Sequence, residues 1–205
     1  MIIAIDGPAA AGKGTLARRL AAALGLPFLD TGLLYRAVAR LMLDAGANPA
    51  DPAAAAQAAE TLRPADLARS DLRASEVSLA ASQVASIPAV RAALLNFQRN
   101  FGNQNGAVLD GRDIGTIIFP NADIKLFVTA SLEARAQRRH AELTANGAAI
   151  TLDAVRTDLA ARDEADATRQ AAPLIPAADA TIFDTTDMNA DVAFEKALEI
   201  IKGRK

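Results

Sequence analysis

Nine residues, Gly7-Pro8-Ala9-Ala10-Ala11-Gly12-Lys13-Gly14-Thr15, have the types and spacing to hold a polyphosphate. Glycine lets a backbone curve tightly and approach phosphate oxygens closely. The N–H groups of such a turn point inward, and a following helix N-terminus adds partial positive charge. Lys13 can reach the outer phosphates as a mobile cation, and Thr15 supplies a hydroxyl. The strict pattern sets Ser or Thr directly after the lysine, whereas Gly14 intervenes here.

A phosphate loop alone does not choose between hydrolysis, switching and phosphoryl transfer, and the arginines narrow the choice. Charge spreads over the oxygens of a transferring phosphoryl group, so catalysis is mostly positioning and charge stabilisation. Arginine suits this because it is permanently charged and forks onto two oxygens. Arg36 follows Tyr35 after an apolar pair, and Arg112 lies in Asp110-Gly111-Arg112-Asp113 at the end of another apolar run. Arg162, Asp166 and Arg169 are spaced i, i+4, i+7, which puts them on one face of a continuing helix. An ordinary helical ion pair is the plainer reading of Arg162 and Asp166, but the acid works better on the N-terminal side. Arg135, Arg138 and Arg139 form either a solvated helix face or a phosphate contact, with Arg138 the best functional candidate. Asp110 stands at a strand exit, where a carboxylate can hold magnesium through water. His140 is the only histidine and has no plausible partner for a metal site.

These residues need elements to position them. Apolar runs at Ile2–Ile5, Phe28-Leu29, Ala107–Leu109, Ile124–Val128 and Ala180–Phe183 predict five strands, with helical patterns between them. That alternation predicts a three-layer α/β/α domain around a mostly parallel five-stranded sheet. Ligands then bind beyond the carboxyl ends of the strands, where Gly7–Thr15, Asp30-Thr31 and Asp110–Asp113 all fall. The first helix is predicted to stop at Gly25 and a second to run from Thr31 through Met42. Asp51 and Pro52 cap an alanine-rich helix, Ser131 and Thr151 open two more, and Pro88 opens another with Val90, Leu94, Phe97 and Phe101 on one face. Leu62 to Ser86 is the least regular stretch and reads as a short strand pair or loops. Segments 32–100 and 147–170 exceed what a strand-to-strand crossover needs and read as insertions over the site, on a core of 1–31, 101–146 and 171–205.

A chain of 205 residues with 51% hydrophobic residues can bury one substantial core. The absence of cysteine excludes disulfides and thiolate metal sites and fits a reducing compartment, the cytoplasm. The first residues read as a core strand rather than a signal region, and no apolar run is long enough to span a bilayer, so no membrane role is expected. A net charge of -2 gives no global attraction for nucleic acid.

Five groups of residues, in this order and spacing, resemble bacterial cytidylate kinases of the nucleoside monophosphate kinase group. They are Gly7–Thr15; Leu29-Asp30-Thr31-Gly32 with Tyr35-Arg36; Ala81-Ser82-Gln83-Val84-Ala85 with Pro88 and Val90-Arg91; Asp110–Thr116; and Arg162-Asp163-Glu164-Ala165-Asp166 with Arg169 and Ala172-Pro173-Leu174. The resemblance covers nearly the whole chain. It implies ATP and CMP or dCMP as substrates, magnesium, a monomer, an acceptor-nucleotide insertion at 32–100 and a lid at 147–170. By it, Gly7, Pro8, Ala9, Ala10, Ala11, Gly12, Lys13, Gly14 and Thr15 hold the ATP phosphates, and Thr15 and Asp110 hold the metal. Arg36 and Arg112 grip the CMP phosphate, and Thr31 and Tyr35 line the acceptor pocket. Ser82, Arg91, Asp113 and Arg169 surround the cytosine, and Arg162 and Asp166 meet the ribose. Arg138 and Arg162 approach the donor phosphates. Lys13, Arg112 and Arg162 carry the catalysis.

Cytosine offers an exocyclic amine that a carboxylate accepts, so Asp113 suits it, while uracil presents a carbonyl there. The sequence departs from the family pattern at Thr31, where serine is usual, and at Ala165, where a basic residue is common. The stretch 62–86 lacks a clear Asn-Gly turn, against the three-stranded insertion of longer relatives. Two other readings stay open: a kinase of another acceptor such as UMP or shikimate, and a nucleotide-binding switch without transfer.

Overall fold

Ile3, Ala4 and Ile5 are fully buried, which a central strand between two helical layers requires of both its faces. In the computed structural model, which describes residues 1–203, they form β1 (Ile2–Asp6) at the centre of a five-stranded parallel sheet. The strand order is β2-β3-β1-β4-β5, with β2 Phe28–Asp30, β3 Ala107–Asp110, β4 Ile124–Thr129 and β5 Thr181–Asp184. Register sets Ile5 beside Asp110 and Asp6 beside Phe127, so the chain leaves β1 and β3 side by side. The expected strands are all present, each ending within a residue or so of its expected limit.

Helix α1 (Lys13–Leu24) stops at Gly25, which is left-handed at φ 64. Leu16 and Leu20 of α1 pack with Ala193, Ala197 and Ile201 of α9 (Ala190–Gly203) on one face of the sheet. Ala4, Leu109, Ile114 and Ile118 build the core of the opposite face, with Phe101 against them. Each large aliphatic side chain buried in this way contributes about 1.5–3 kcal/mol.

Between β2 and β3 lie α2 (Thr31–Asp44), α3 (Pro52–Glu60), α4 (Pro64–Leu67), a 3-10 turn (Ser70–Arg73), α5 (Ser75–Ala85) and α6 (Pro88–Asn105). They share a core of their own, with Leu34, Tyr35 and Val38 of α2 against Val77, Ala81 and Val84 of α5. Asp51 caps α3 by accepting from the N–H groups of Ala53 and Ala54. The expected strand pair or loops over 62–86 are wrong. Val77, Ala80, Ala81 and Val84 recur at helical spacing and are buried, so the stretch folds as helix against α2. The face expected of α6 is also corrected at one position. Phe97 is 45% exposed, whereas Gln98 is buried and donates from Nε2 to the Leu94 carbonyl at 3.1 Å. The buried row is Val90, Leu94, Gln98, Gly102, and a Cβ at Gly102 would meet the Phe119 ring at 2.5 Å.

After β4, α7 (Leu132–Ala145) is capped by Ser131 and α8 (Leu152–Thr168) by Thr151, as expected. Val155 and Leu159 of α8 pack on Ala136 of α7 and on Ala9 of the glycine-rich loop. Helix α8 is thereby seated directly over the phosphate-loop region. Among the described residues no single helix is long and apolar enough to cross a membrane.

Candidate functional site

The loop after β1 turns by left-handed backbone at Ala10 (φ 60) and Gly12 (φ 87). Gly7 is fixed by close approach, since a Cβ there would lie 1.9 Å from the Val128 carbonyl oxygen. Gly12 sits at the N-cap of α1 without a side-chain cap, so the first-turn N–H groups of the helix face the loop. Lys13 is 5% exposed, donates from Nζ to the Pro8 carbonyl at 2.8 Å and lies 3.9 Å from Asp110 Oδ1. Burial, then the neighbouring Arg112, pull the Lys13 ammonium down to about 8, against the opposing pull of Asp110.

A cavity of about 650 Å3 opens over the carboxyl ends of β1, β2 and β3. Its wall brings together most of the residues singled out from the sequence. They are Ala9, Ala10, Gly12, Lys13, Gly14, Thr15, Thr31, Tyr35, Arg36, Ser82, Arg91, Asp110, Arg112, Asp113, Arg162, Asp166 and Arg169. Gly7, Pro8 and Ala11 of the same loop are not on this wall, and Ala11 lines a second cavity. Eight arginines and one lysine face five acids across this wall. The cavity therefore carries an excess of positive charge in a chain whose net charge is -2. Such a concentration attracts multiply charged anions locally and not over the whole surface.

The charged groups are held in distinct arrangements. Arg91 is hydrogen-bonded to Asp113, both nearly buried, and its guanidinium lies 5.6 Å from the centre of the Tyr35 ring. Arg112 donates from Nε to Asp166 Oδ2 at 2.8 Å, and Arg169 Nη1 lies 3.6 Å from Asp166 Oδ1. Burial alone would raise the Asp166 carboxyl, but Arg112 and Arg169 hold it below the ordinary range. Asp166 thus pairs with Arg112 rather than with Arg162, its neighbour one turn earlier. Burial and the Arg112 charge depress Arg162 to about 10, and its buried Nε has no hydrogen-bond partner among the described residues. Burial likewise lowers Arg36, which sits near Asp30 and the like charges of Arg73 and Arg112. Two destabilised cations aimed into one cavity are suited to an anionic ligand.

Thr31 donates from Oγ1 to the Asp110 carbonyl at 2.8 Å, and a Cβ on Gly111 would lie 2.8 Å from that hydroxyl oxygen. The loop carrying Arg112 and Asp113 is therefore packed tightly against the start of α2. Asp110 is buried, and burial raises its carboxyl despite Lys13. Among the described residues no group of three or more His, Cys, Asp or Glu could hold a metal by itself. One carboxylate, Asp110, and one hydroxyl, Thr15, fit a hydrated Mg2+ that arrives with nucleotide phosphates.

Arg138 stands apart from the main cavity. It donates to the carbonyls of Thr185, Thr186 and Met188, at 2.6, 3.2 and 3.3 Å, and lines a second cavity of about 370 Å3 beside Gly12 and Thr15. The arginine of α7 that reaches the main cavity is Arg139, which lines both cavities and pairs with Glu142 at 2.9 Å. Arg135 is buried and bound to Asp163 of α8. His140 contacts the Ile150 carbonyl at 3.0 Å and takes no part in the site. Sequence reasoning also missed Arg73, on the cavity wall 3.4 Å from Asp30, and Asp6. Asp6 is buried and accepts from the N–H groups of Ile114 at 2.8 Å and Gly115 at 2.7 Å. Burial pushes its carboxyl up to about 6 despite those two bonds. The one local signal for Asp6 was an acid ending an otherwise apolar strand.

The arrangement is a phosphate loop and an arginine-lined cavity that also contains a buried carboxylate–guanidinium pair beside an aromatic ring. A family model described as cytidylate kinase matches residues 3–203. The cytidylate kinase of Acidiphilium cryptum (strain JF-5) is 64% identical over 201 residues, covering 98% of this chain and 95% of that protein. That of Granulibacter bethesdensis is 62% identical over 202 residues, covering 98% and 97%. That of Paramagnetospirillum magneticum is 58% identical over 208 residues, covering 100% and 99%. Among solved structures, an uncharacterized protein from Eubacterium ventriosum aligns with a TM-score of 0.59 at 15% identity over 98% of each chain, a likeness of fold alone. The chain belongs to the cytidylate kinase family.

Proposed function

We propose that this protein transfers the terminal phosphoryl group of ATP to CMP or dCMP, giving ADP and CDP or dCDP. The observation that carries the reading is that one cavity holds both the Lys13 loop and the Arg91–Asp113 pair. A kinase of shikimate or another small acid has no use for a carboxylate–guanidinium pair built to read a base, and a switch has no use for a second arginine cluster. Asp113 can accept from the exocyclic amine of cytosine, and Arg91, Arg169 or Ser82 can donate to its ring nitrogen and carbonyl. Uracil would leave those buried groups mispaired, which is how a polar site rejects a near match.

In this reading the N–H groups of Gly7–Thr15 and Lys13 hold the donor phosphates. Arg36 and Arg112 hold the acceptor phosphate, with Thr31 and Tyr35 against the acceptor. Arg162 and Asp166 meet the acceptor ribose, and Arg162 also serves the transferring group. The acceptor phosphate is already anionic near neutral pH, so no general base is needed. The chain's task is to hold two repelling anions in line and to balance their charge. Thr15, and Asp110 through water, would hold Mg2+, which when bound would supply positive charge beside the donor phosphates. Residues 147–170 act as a lid: α8 brings Arg162 and Asp166 over the cavity, and its closure would keep water from ATP. Helices α2–α6 form the acceptor side. The cysteine-free chain and the family resemblance support a cytoplasmic monomer.

The test is ADP release, coupled to a spectrophotometric readout, with CMP, dCMP, UMP, AMP and shikimate in turn. CMP and dCMP should be the fastest acceptors. Faster turnover with UMP, AMP or shikimate would overturn the substrate assignment, and nucleotide binding with no transfer to any acceptor would favour the switch.

A further inference from the structure

Arg112 and Asp113 lie between two anchors to β1. On one side the Gly111 N–H donates to the Ile5 carbonyl at 2.9 Å, the last backbone rung where β3 leaves the sheet. On the other side the N–H groups of Ile114 and Gly115, the two residues after Asp113, both donate to the Asp6 carboxylate. We propose that Asp6 is a positioning residue for phosphoryl acceptor recognition: its carboxylate extends the β1–β3 ladder by one side-chain rung and so fixes where Arg112 and Asp113 point.

Three features support this role. A carboxylate is acceptor-only and has two oxygens, so it alone among side chains of this length can take two adjacent N–H donors without presenting a donor of its own. Gly115 is fitted to it, since a Cβ there would lie 3.3 Å from Asp6 Oδ2 and 3.1 Å from Lys125 Cδ. The segment that begins at these N–H groups, Ile114–Ile118, is a π-helical turn, which a continuous strand or α-helix would not produce unaided. Asp6 also precedes Gly7, so the same residue starts the donor loop and pins the acceptor loop. It is buried at 6% exposure and does not line the cavity, so it acts through the residues it holds.

The inference rests on the proposed reaction, and the test separates the two. Asp6→Asn keeps the shape but turns an amide NH2 donor toward one of the two N–H groups. With Asp6→Asn, KM for CMP should rise by about tenfold and the CMP-over-UMP ratio of kcat/KM should fall by a similar factor, while KM for ATP stays within about twofold. Gly115→Ala crowds the same bridge from the other side and should show the same split, which keeps the test available if Asp6→Asn does not fold. Amide exchange gives an arm independent of turnover: Ile114 and Gly115 N–H groups should exchange faster in either folded variant than in the parent. Unchanged acceptor KM and selectivity in a folded variant, or equal rises in the ATP and CMP constants, would overturn the positioning role. If the parent enzyme does not phosphorylate CMP, the reaction assignment fails, and the exchange result alone decides whether Asp6 holds the loop.

Discussion

Arg112 donates from Nε to Asp166 Oδ2 at 2.8 Å and so joins the loop after β3 to α8 across 54 residues of chain. The bond ties the proposed phosphate grip to the proposed lid. Charge-assisted bonds of this kind contribute about 1.5–3 kcal/mol. Asp166→Asn retains an acceptor but loses the charge. Its kcat/KM for CMP should fall about tenfold or more, since each 1.4 kcal/mol is a factor of ten. Initial-rate kinetics at saturating ATP measure this, and CMP constants matching the parent would show that the bond has no part in acceptor handling.

Lys13 gives a pH dependence with two opposite signs. Its ammonium is depressed from 10.5 to about 8, first by burial and then by Arg112. Above the folded value the unfolded chain binds more protons, so this group adds stability as pH climbs from about 8 toward 10.5. Activity needs the charged form and should fall over the same window. The alkaline limb of kcat/KM for ATP should therefore lie near pH 8, and that of kcat higher, because bound phosphates favour the ammonium. A pH–rate series with parallel denaturation melts reads both. Coincident limbs for the two constants would show that bound phosphate leaves this lysine's protonation unchanged.

Ala10 holds a left-handed φ of 60 inside the phosphate loop, a conformation that costs a residue with a Cβ about 1–2 kcal/mol. Ala10→Gly removes that strain but widens the unfolded ensemble by about 0.4–1 kcal/mol. The variant should be more stable by up to about 1.6 kcal/mol, with Tm raised by roughly 2–4 °C for each kcal/mol in a chain of this size. Calorimetry decides it, and a lower Tm would mean that the loop does not bear this strain.

Legibility in the sequence divides by how local the determining forces are. The five strands, the Gly25 stop and the Asp51, Ser131 and Thr151 caps were readable because apolar runs and capping chemistry act over a few residues. Helix α5 was not, because alanines give a weak apolar signal and its burial depends on α2 some forty positions earlier. Asp6 was not, because its partners lie 108 and 109 residues away. The different surroundings of Arg138 and Arg139 were not, because neighbours on a helix diverge by about 100° and the phase of α7 against the two cavities is a tertiary property.

Those two arginines support a paired prediction. Arg138 is committed to three backbone carbonyls of the segment after β5 and to Thr185 Oγ1, so it buttresses the wall of the second cavity. Arg138→Ala leaves those carbonyls without this donor and should cost about 1–3 kcal/mol of stability. Its effect on turnover should follow mainly from a looser donor side, seen as a raised KM for ATP. Arg139 lines both cavities and among the described residues is paired with the partly exposed Glu142, an exchangeable partner that lets it turn toward anionic oxygen. Its surface ion pair is worth about 0–1 kcal/mol, so Arg139→Ala should melt close to the parent. If Arg139 meets charge that develops between donor and acceptor, its loss should lower kcat by about 100-fold, as removal of one such donor does elsewhere, with KM for ATP and CMP little changed. Melting curves and full kinetics on both variants give the comparison. The opposite pattern, with kcat lost in Arg138→Ala and kept in Arg139→Ala, would return the phosphate-contacting role to Arg138.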